Sequence, residues 1–363
     1  MRSMSDTLAR LAALRGMLRT RPTQDNTDLV SLETFGSNPG ALGGYTYLPS
    51  KRGKNMALVV VLHGCTQTAA CYDIGSGWSR LAEDYGFALL YPEQRRANNP
   101  NLCFNWFNPE DISRDHGEVF SIRQMIAKVV AEHSIDGRRV FVTGLSAGGA
   151  MAAAMLATYP EVFAGGAIIA GLPYASAATI PEAFDRMRGH GGPTSKELQQ
   201  RLRNASEHNG PWPTLSIWQG SADRTVVPSN ANTMVEQWTH VHGVDAFPGR
   251  VEEIGQHQRK VWTDADGVEV IELYTIAGMG HGTPLDVGTG YGASGPFMLD
   301  VGISSTVEIA RSWSLVPSFE KRRDAKVSAA QPESAADPFG TGSDRGGIQK
   351  IIEDALRSAG LLR

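Results

Sequence analysis

A serine flanked by glycines is the feature of this sequence with the clearest chemistry. Ser146 lies at the centre of the pentapeptide GLSAG, residues 144–148, between the β-branched run RVFVT and an alanine-rich helical pattern that begins at Ala147. A sharp strand-to-helix turn presents a serine hydroxyl outward only when the residues two positions before and after it have minimal side chains. We therefore predict that Ser146 is the nucleophile of an acyl-transfer enzyme.

A serine hydroxyl becomes nucleophilic when a base removes its proton and a carboxylate orients that base. In a mostly parallel sheet with such a turn, the acid and then the histidine follow the serine along the chain, each after a later strand. Asp223 follows the strand-like segment 214–219, and His281 follows the strand-like segment 268–276. The sequence therefore predicts a catalytic triad of Ser146, Asp223 and His281.

The oxyanion that forms during acyl transfer needs two backbone N–H donors. The residue after the nucleophile supplies one donor, and a loop after an early strand supplies the other. These positions are Ala147 and, after the run ALVVVL, Cys65. His63 directly follows the same run and is interpreted as a buried imidazole that fixes this loop, not as a base.

Two nearby residues allow more than one interpretation. The thiol of Cys65 either pairs with Cys71 or Cys103 or remains free, and the spacing does not decide between these states. Trp106 lies in a loop after the strand-like segment 88–91. It either lines a substrate pocket for the acyl group or covers the hydrophobic core.

The chain around these residues alternates strand and helix patterns, which indicates an α/β fold with helices on both faces of a mostly parallel central sheet. The predicted strands span 43–49, 57–62, 88–91, 139–143, 164–170, 214–219, 261–263 and 268–276, the first at a sheet edge and the last two as a hairpin. The predicted helices span 76–85, 121–133, 147–158, 229–242 and 305–314. The polar segment 174–213 interrupts this alternation and predicts a small cap insertion.

We expect four regions along the chain. Residues 1–38 carry leucines at spacings of three and four and are predicted to form an amphipathic arm, which either docks on the domain or contacts a granule or other surface. Residues 39–316 form the catalytic domain, 317–347 a flexible linker and 348–363 a C-terminal helix. The N-terminal residues resemble no secretory signal, which is compatible with a cytoplasmic location.

The composition argues against several functional classes. The 363 residues are 41% hydrophobic and 20% charged, which is a globular composition with enough apolar material for a large core. A net charge of -4 gives no field that would attract nucleic acid. The apolar runs are too short for an integral membrane segment. Because no metal-ligand or nucleotide-binding pattern is present, we expect no metal and no cofactor.

Six stretches of the sequence resemble one enzyme family. They are HGCTQTAACYDIGSGWSRLAEDYGFALLYPEQ (63–94), NLCFNWF (101–107), GLSAGGAMAA (144–153), AGLPYASA (170–177), IWQGSADRTVVPSNA (217–231) and GMGHGTPL (278–285). In these stretches the chain is similar to the polyhydroxybutyrate (PHB) depolymerase family of esterases, which includes acetylxylan and feruloyl esterases. The resemblance implies an α/β-hydrolase fold, a serine carboxylesterase mechanism and the same three triad residues.

The resemblance also implies a substrate class. We expect hydrolysis through an acyl-enzyme of a short-chain polyhydroxyalkanoate, that is a 3-hydroxybutyrate polyester or its oligomers. The alternative within the family is an acetyl or feruloyl ester on a plant polysaccharide. Many relatives look secreted, which would place polyester degradation in the extracellular region. A non-catalytic granule- or surface-binding module is the competing hypothesis from another class, and the intact triad argues against it.

Overall fold

A ten-stranded sheet forms the centre of the protein, for which a computed structural model describes residues 27–244 and 249–316. The strand order across the sheet is β1-β2-β4-β3-β5-β6-β7-β10-β9-β8. In chain order the strands are β1 (Val30–Ser31), β2 (Gly43–Tyr47), β3 (Met56–Leu62), β4 (Ala88–Glu93), β5 (Ile135–Leu145), β6 (Gly165–Ile169), β7 (Thr214–Gly220), β8 (Arg250–Ile254), β9 (His257–Thr263) and β10 (Glu269–Ile276).

The six central strands, from β4 to β10, run parallel to one another, and the strands at both edges are antiparallel. The predicted mostly parallel sheet is confirmed. The carboxyl ends of β3, β5, β7 and β10 therefore meet at one edge of the sheet, where loops from parallel strands commonly build binding sites. Ser146, Asp223, His281 and Cys65 all lie in the turns or loops that follow these ends.

The helices cover both faces of the sheet, as predicted. They are α1 (Ala69–Ser76), α2 (Trp78–Tyr85), α3 (Gly117–Glu132), α4 (Ala147–Thr158), α5 (Ile180–Met187), α6 (Ser195–Arg203), α7 (Ser229–His242) and α8 (Ser305–Ser312). Every residue of β3 is buried, and its side chains alternate between two cores. Leu58 and Val60 pack in the core beneath α3, α4 and α7, while Val59 and Val61 pack in the core beneath α1, α2 and α8.

Several element boundaries differ from the sequence prediction. The predicted helix 76–85 begins two residues later, because Gly77 has a left-handed backbone (φ 76°) that ends α1 and precedes α2. The strand predicted to lie at the sheet edge, now β2, pairs on its outer side with the two-residue β1. The arm was predicted to end at residue 38, but β1 (Val30–Ser31) already belongs to the sheet. The sheet therefore begins before the predicted boundary.

The charged strand β8 was not predicted either. Its sequence RVEEI lacks the alternation of apolar and polar residues that indicates a half-buried strand, so the sequence gives no strand signal here. Ion pairs to the neighbouring strands take the place of apolar contacts. Arg259 on β9 bonds Glu252 on β8 at 2.7 Å and also contacts Glu269 and Glu272 on β10. A second small sheet contains the parallel strands β11 (Thr283–Leu285) and β12 (Met298–Asp300).

The segment 174–213, predicted as a cap, contains α5 and α6. The Gln237 side chain of α7 joins this segment to the domain: its amide accepts the Tyr174 N–H at 3.0 Å and donates to the Leu198 carbonyl at 3.1 Å.

Residues 1–26 of the predicted arm, the predicted linker 317–347 and the predicted helix 348–363 lie outside the described residues. None of the helices in the described ranges has both the length and the apolar character needed to cross a bilayer.

Candidate active site

Ser146 occupies a strained turn between β5 and α4. Its backbone angles are φ 57° and ψ -118°, a region that residues other than glycine rarely adopt. The Ser146 N–H donates to the carbonyl of Ile169 at 2.9 Å, and the Ser146 carbonyl accepts the Ala150 N–H at 2.8 Å. These backbone bonds fix the turn at both sides and keep the hydroxyl at the edge of the sheet.

The two glycines of the pentapeptide are required because backbone segments meet there. A Cβ atom on Gly144 would lie 2.4 Å from the carbonyl oxygen of Gly148. A Cβ on Gly148 would lie 2.3 Å from the Leu62 carbonyl oxygen and 2.4 Å from that of His63, at the end of β3. The turn can therefore close against β3 only without side chains at these positions.

The variant Gly148→Ala is expected to lower the free energy of unfolding by about 1–3 kcal/mol, because the added methyl group overlaps backbone atoms that cannot move independently. Esterase activity should fall as well, since the turn that holds Ser146 must shift. Gly137→Ala is the matched control, because no atom lies within 4 Å of its added Cβ. In urea unfolding, the free energy of unfolding of Gly137→Ala should stay within about 0.5 kcal/mol of wild type. An equal loss of stability in Gly148→Ala and Gly137→Ala would contradict the steric argument.

Ser146, His281 and Asp223 form a continuous hydrogen-bonded chain. His281 Nε2 lies 2.9 Å from Ser146 Oγ, and His281 Nδ1 lies 2.7 Å from Asp223 Oδ2. A carboxylate only accepts hydrogen bonds, so Nδ1 carries the proton and the Nε2 lone pair faces the serine hydroxyl. This tautomer can accept the serine proton.

Asp223 is held by donors on both of its oxygens. Oδ1 accepts the N–H groups of Thr225 at 2.8 Å and Val226 at 2.9 Å, and the Gln219 side chain donates to Oδ2 at 3.3 Å. The Asp223 side chain is fully buried, and only 6% of the His281 side chain is exposed. Gln219 also donates to the Val226 carbonyl at 3.0 Å, which closes the loop around the carboxylate. The sequence argument did not identify Gln219, since its role depends on the loop's conformation.

Of the two predicted oxyanion donors, Ala147 directly follows Ser146 and Cys65 lines the same cavity as Ser146. Cys65 and Ala147 have backbone N–H groups that donate to no acceptor within residues 27–244 and 249–316. The loop that carries Cys65 is fixed on both sides: Gly64 N–H donates to Gln67 Oε1 at 2.9 Å, and Thr66 N–H donates to the Asn101 carbonyl at 2.7 Å. The Cys65 N–H therefore lies in a fixed loop, and the Ala147 N–H lies at the first residue of α4.

His63 is buried behind this loop. Its Nε2 accepts the Gln94 N–H at 3.1 Å, so Nδ1 carries the proton and donates to the Gly64 carbonyl at 2.8 Å. Burial lowers the pKa of His63 to about 4, which keeps the ring neutral at physiological pH. These contacts match the interpretation of His63 as a residue that fixes the loop.

A disulfide resolves the alternatives for the cysteines. Cys65 bonds Cys103 across 38 positions of sequence, while Cys71 is a half-buried free thiol. The bridge ties the loop with the candidate oxyanion donor to the loop that carries Trp106. Spacing alone could not predict this pairing, because Cys71 is much nearer to Cys65 along the chain.

A cavity of about 680 Å³ opens over Ser146 and His281. Its apolar wall contains Trp106 and Phe107, together with side chains of α5 such as Ala183 and Met187. Trp106 is only 6% exposed and packs with Ala147 and Leu172, so it both lines the cavity and covers a small hydrophobic core. The neutral polar side chains of the lining are Thr66, Gln67, Asn98, Asn99, Asn101, Asn105, Asn108, Thr179 and Thr225.

Glu118 supports the polar wall from behind and was missed by the sequence analysis. Its carboxylate accepts hydrogen bonds from Gln94 Nε2 at 2.6 Å, Asn105 Nδ2 at 2.8 Å and the Asn105 N–H at 2.9 Å. Burial and then the nearby charge of Asp111 raise the pKa of Glu118 to about 8, against the opposing effect of these donors. The available signal was an acidic residue in the first turn of a helix, but the helix was predicted to begin only at residue 121.

The pKa of Glu118 predicts a pH-dependent stability. This pKa is higher in the folded than in the unfolded protein, so the folded state binds the proton of Glu118 more tightly. Protonation of Glu118 therefore stabilises the fold: this contribution is complete below the ordinary glutamate pKa and is lost as the pH rises through about 8. Between pH 5 and 7.5 the ionisation of this group should therefore lower the free energy of unfolding by up to about 1.4 kcal/mol per pH unit. Urea unfolding of wild type and Glu118→Gln measures the difference in slope, and identical slopes would mean that Glu118 is ionised in the folded protein.

Within the described residues no group of three or more histidine, cysteine, aspartate or glutamate side chains lies close enough together to hold a metal ion. Ser146, His281 and Cys65 line one cavity, Asp223 is bonded to His281, and Ala147 directly follows Ser146. A hydroxyl, an imidazole, a carboxylate and backbone N–H groups are the types of group that acyl transfer uses.

Comparison with known proteins places this chain in a family. Residues 43–260 match the family described as "Esterase PHB depolymerase". The chain is 47% identical to poly(3-hydroxyalkanoate) depolymerase C of Paucimonas lemoignei, over 79% of this chain and 70% of that protein. It is also 32% identical to feruloyl esterase B of Neurospora crassa, over 75% of this chain and 94% of that protein.

A solved structure supports the fold. Acetyl xylan esterase from Aspergillus awamori superposes with a TM-score of 0.68 and 24% identity, over 80% of this chain and all of that chain. At that identity the likeness concerns the fold, which is the α/β-hydrolase fold that the sequence predicted. Taken with the family match over more than half of the chain, it leads to one conclusion: the protein belongs to the PHB depolymerase family of esterases and is a carboxylic ester hydrolase.

Proposed function

We propose that the protein hydrolyses short-chain polyhydroxyalkanoate, a 3-hydroxybutyrate polyester or its oligomers, with Ser146 as nucleophile, His281 as base and Asp223 as the acid that orients it. The observation that carries the catalytic part is the hydrogen-bonded chain from Ser146 Oγ through His281 to Asp223 at the floor of the cavity. The 47% identical depolymerase supports the substrate class.

The reaction follows from the positions of these atoms. Ser146 Oγ attacks the ester carbonyl carbon while His281 Nε2 takes the serine proton. The C–O bond to the alcohol then breaks, and the alcohol leaves with the proton from Nε2, so an acyl-serine ester remains. Water, deprotonated by the same nitrogen, attacks this ester and releases the acid and free Ser146. Asp223 stabilises the imidazolium in both halves.

The N–H groups of Cys65 and Ala147 are proposed to hold the negatively charged carbonyl oxygen in both tetrahedral intermediates. Each such donor typically contributes about 3–4 kcal/mol to the transition state. The Cys65–Cys103 disulfide supports this role, because together with the bond between Thr66 and Asn101 it ties the loop to residues 101–103. A donor held in place before the reaction needs no reorganisation as charge develops.

The cavity lining suits a neutral ester with apolar substituents. Apart from Asp111, His281, Met187 and the Cys65–Cys103 disulfide, its side chains are aromatic or aliphatic groups, amides and hydroxyls. The apolar wall at Trp106 and α5 can accept a short aliphatic acyl unit, while the asparagine side chains can bond ester oxygens. The same asparagine side chains could also bond the hydroxyl groups of a sugar. An acylated polysaccharide is therefore the alternative substrate to be tested.

A substrate panel with a Ser146→Ala control tests the proposal. Loss of turbidity of a polyhydroxybutyrate suspension, and soluble 3-hydroxybutyrate from defined oligomers, report polyester hydrolysis. Acetate from acetylated xylan and ferulate from feruloylated arabinoxylan report the alternative. We expect the first two signals to exceed the last two by at least tenfold, and all four to vanish in Ser146→Ala. A larger acetate or ferulate signal would reassign the substrate to polysaccharide esters.

Contact with a polymer surface through the predicted arm is a separate proposal, since residues 1–26 lie outside the described residues. Deleting residues 1–20 should weaken binding to polyester granules without changing hydrolysis of a soluble p-nitrophenyl ester. Granule binding that equals that of the full chain would remove the arm from the proposal. The non-catalytic granule-binding hypothesis would regain support only if the wild-type chain bound granules and hydrolysed none of the esters in the panel.

A further inference from the structure

Phe297 has an unusual backbone for an aromatic residue. Its φ is 63°, in the left-handed region where a bulky side chain is strained. Strained residues persist where the surrounding structure holds them, and they are concentrated at functional sites. Phe297 immediately precedes β12 and lines the cavity that also contains Ser146 and His281.

The strain is maintained by close backbone contacts beside His281. The Phe297 carbonyl accepts the Thr283 N–H at 2.8 Å, at the start of the pairing between β11 and β12. A Cβ atom on Gly282 would lie only 2.7 Å from the same carbonyl oxygen. The backbone of Phe297 is thus pressed against the residue that follows the histidine, and its position is coupled to that of the His281 loop.

The Phe297 ring packs edge-on against the imidazole. The two ring centroids are 6.2 Å apart and the interplanar angle is 83°. The ring is half-buried, with one part against the core beneath α1, α2 and α8 and another part in the cavity. Trp106 belongs to a different cluster, with Ala147 and α5. The cavity therefore has two aromatic walls, one beside the histidine and one beside the candidate oxyanion donor.

The chemistry of acyl transfer assigns different parts of the ester to these walls. The leaving oxygen takes its proton from His281 Nε2, so the alcohol must lie within hydrogen-bond distance of that nitrogen. A side chain packed on the same imidazole contacts the substituents of the alcohol. The acyl group, whose carbonyl oxygen points to Cys65 and Ala147, lies towards the wall formed by Trp106 and α5.

We propose that Phe297 determines specificity for the alcohol part of the ester and favours an alcohol with apolar substituents, such as the methyl-bearing secondary alcohol of a 3-hydroxyacyl unit. This inference rests on the proposed function, because it uses His281 as the proton donor to the leaving oxygen. A polar sugar alcohol would gain little from this ring, whereas an apolar group on the carbon next to the leaving oxygen would be removed from water.

Two series of esters test the proposal. The alcohol series contains methyl, isopropyl and cyclohexyl acetate, which share one acyl-enzyme. The acyl series contains p-nitrophenyl acetate, butyrate and hexanoate, which share one alcohol. In Phe297→Ala the ratio of kcat/KM for cyclohexyl to methyl acetate should fall by about tenfold, the discrimination typical of a small apolar contact, whereas the ratios in the acyl series should stay within about twofold. Phe107→Ala, on the other aromatic wall, should show the reverse pattern.

The rate of deacylation separates specificity from a merely structural role. The acetyl-enzyme contains no alcohol, so its hydrolysis in Phe297→Ala should match wild type if the ring acts on the alcohol. A displaced His281 would slow deacylation and lower both series uniformly, and that result would overturn the proposal. Ser146→Ala distinguishes this failure from failure of the proposed function, because ester hydrolysis that persists there implicates another nucleophile.

Phe297→Gly keeps the test decisive if the alanine variant does not fold. Glycine adopts positive φ without strain, so this variant removes the ring without forcing another residue to hold the left-handed backbone. We expect its melting temperature to equal or exceed that of Phe297→Ala, and its alcohol ratio to fall in the same way. An alcohol ratio equal to that of wild type in this variant would contradict the role of the ring.

Discussion

Replacing Ser146 by alanine is expected to lower kcat for a p-nitrophenyl short-chain ester by about a millionfold, as in other serine hydrolases whose nucleophile is removed. The variant retains His281, Asp223 and both proposed oxyanion donors, but it lacks the hydroxyl that is proposed to form the acyl-enzyme. The hydroxyl contributes one hydrogen bond to His281 and none to the backbone of the turn. The variant should therefore fold normally and bind substrate with an affinity close to that of wild type.

Ser195→Ala is the matched control for this experiment. Ser195 is a partly exposed serine in the first turn of α6, where its hydroxyl bonds Glu236 away from the cavity. Steady-state hydrolysis and labelling with a fluorophosphonate probe should be unchanged in the control and absent in Ser146→Ala. Hydrolysis above a thousandth of the wild-type rate, in a preparation free of other esterases, would assign the chemistry to a different residue.

The strand-to-helix turn at Ser146 was predictable because its signals are local. The strand pattern, the small residues on each side of the serine and the helix pattern all fall within twenty residues, and the helix 147–158 has the predicted bounds. The alternation of strands and helices likewise predicted the parallel sheet, because it depends on runs of a few residues and on general rules of chain connection. The same rules led from Ser146 to the loops that carry Asp223 and His281.

Contacts between distant segments were less accessible to sequence reasoning. The pairing of Cys65 with Cys103 depends on how two loops fold against each other, and the bonds from Gln94 and Asn105 to Glu118 join segments that have no common periodicity. Phe297 follows a Gly-Pro pair that indicates only a turn. Its place beside His281 results from the pairing of β11 with β12, two strands of three residues whose sequences carry almost no strand signal.

Asp223→Asn is expected to lower kcat by about ten-thousandfold, the loss seen when a triad carboxylate becomes an amide. The reason lies in the donors around the carboxylate. Oδ1 accepts two backbone N–H groups, from Thr225 and Val226, so an asparagine must place its amide oxygen at that position. The opposite orientation would direct the NH₂ group at two donors and leave both buried N–H groups without an acceptor, which costs about 1–3 kcal/mol for each.

The amide NH₂ group must then occupy the position of Oδ2, where it faces Nδ1 of His281. An N–H that donates to Nδ1 requires the lone pair of the imidazole at that nitrogen, and the ring proton moves to Nε2. Nε2 then directs a proton at Ser146 Oγ and cannot remove the proton of the serine. The variant keeps the three side chains in place but holds the imidazole in the tautomer that cannot act as a base.

This argument predicts a specific pattern of measurements. Asp264→Asn is the matched control, because Asp264 also accepts two backbone N–H groups through Oδ1, from Asp266 at 3.0 Å and Val268 at 2.9 Å, but lies in a hairpin turn away from the cavity. Both variants should fold, and only Asp223→Asn should lose kcat and react slowly with a fluorophosphonate probe. The imidazole protons of Asp223→Asn, observed by NMR, should report protonation at Nε2. Protonation at Nδ1 with wild-type kcat would show that the amide had turned and that the two backbone donors do not fix its orientation.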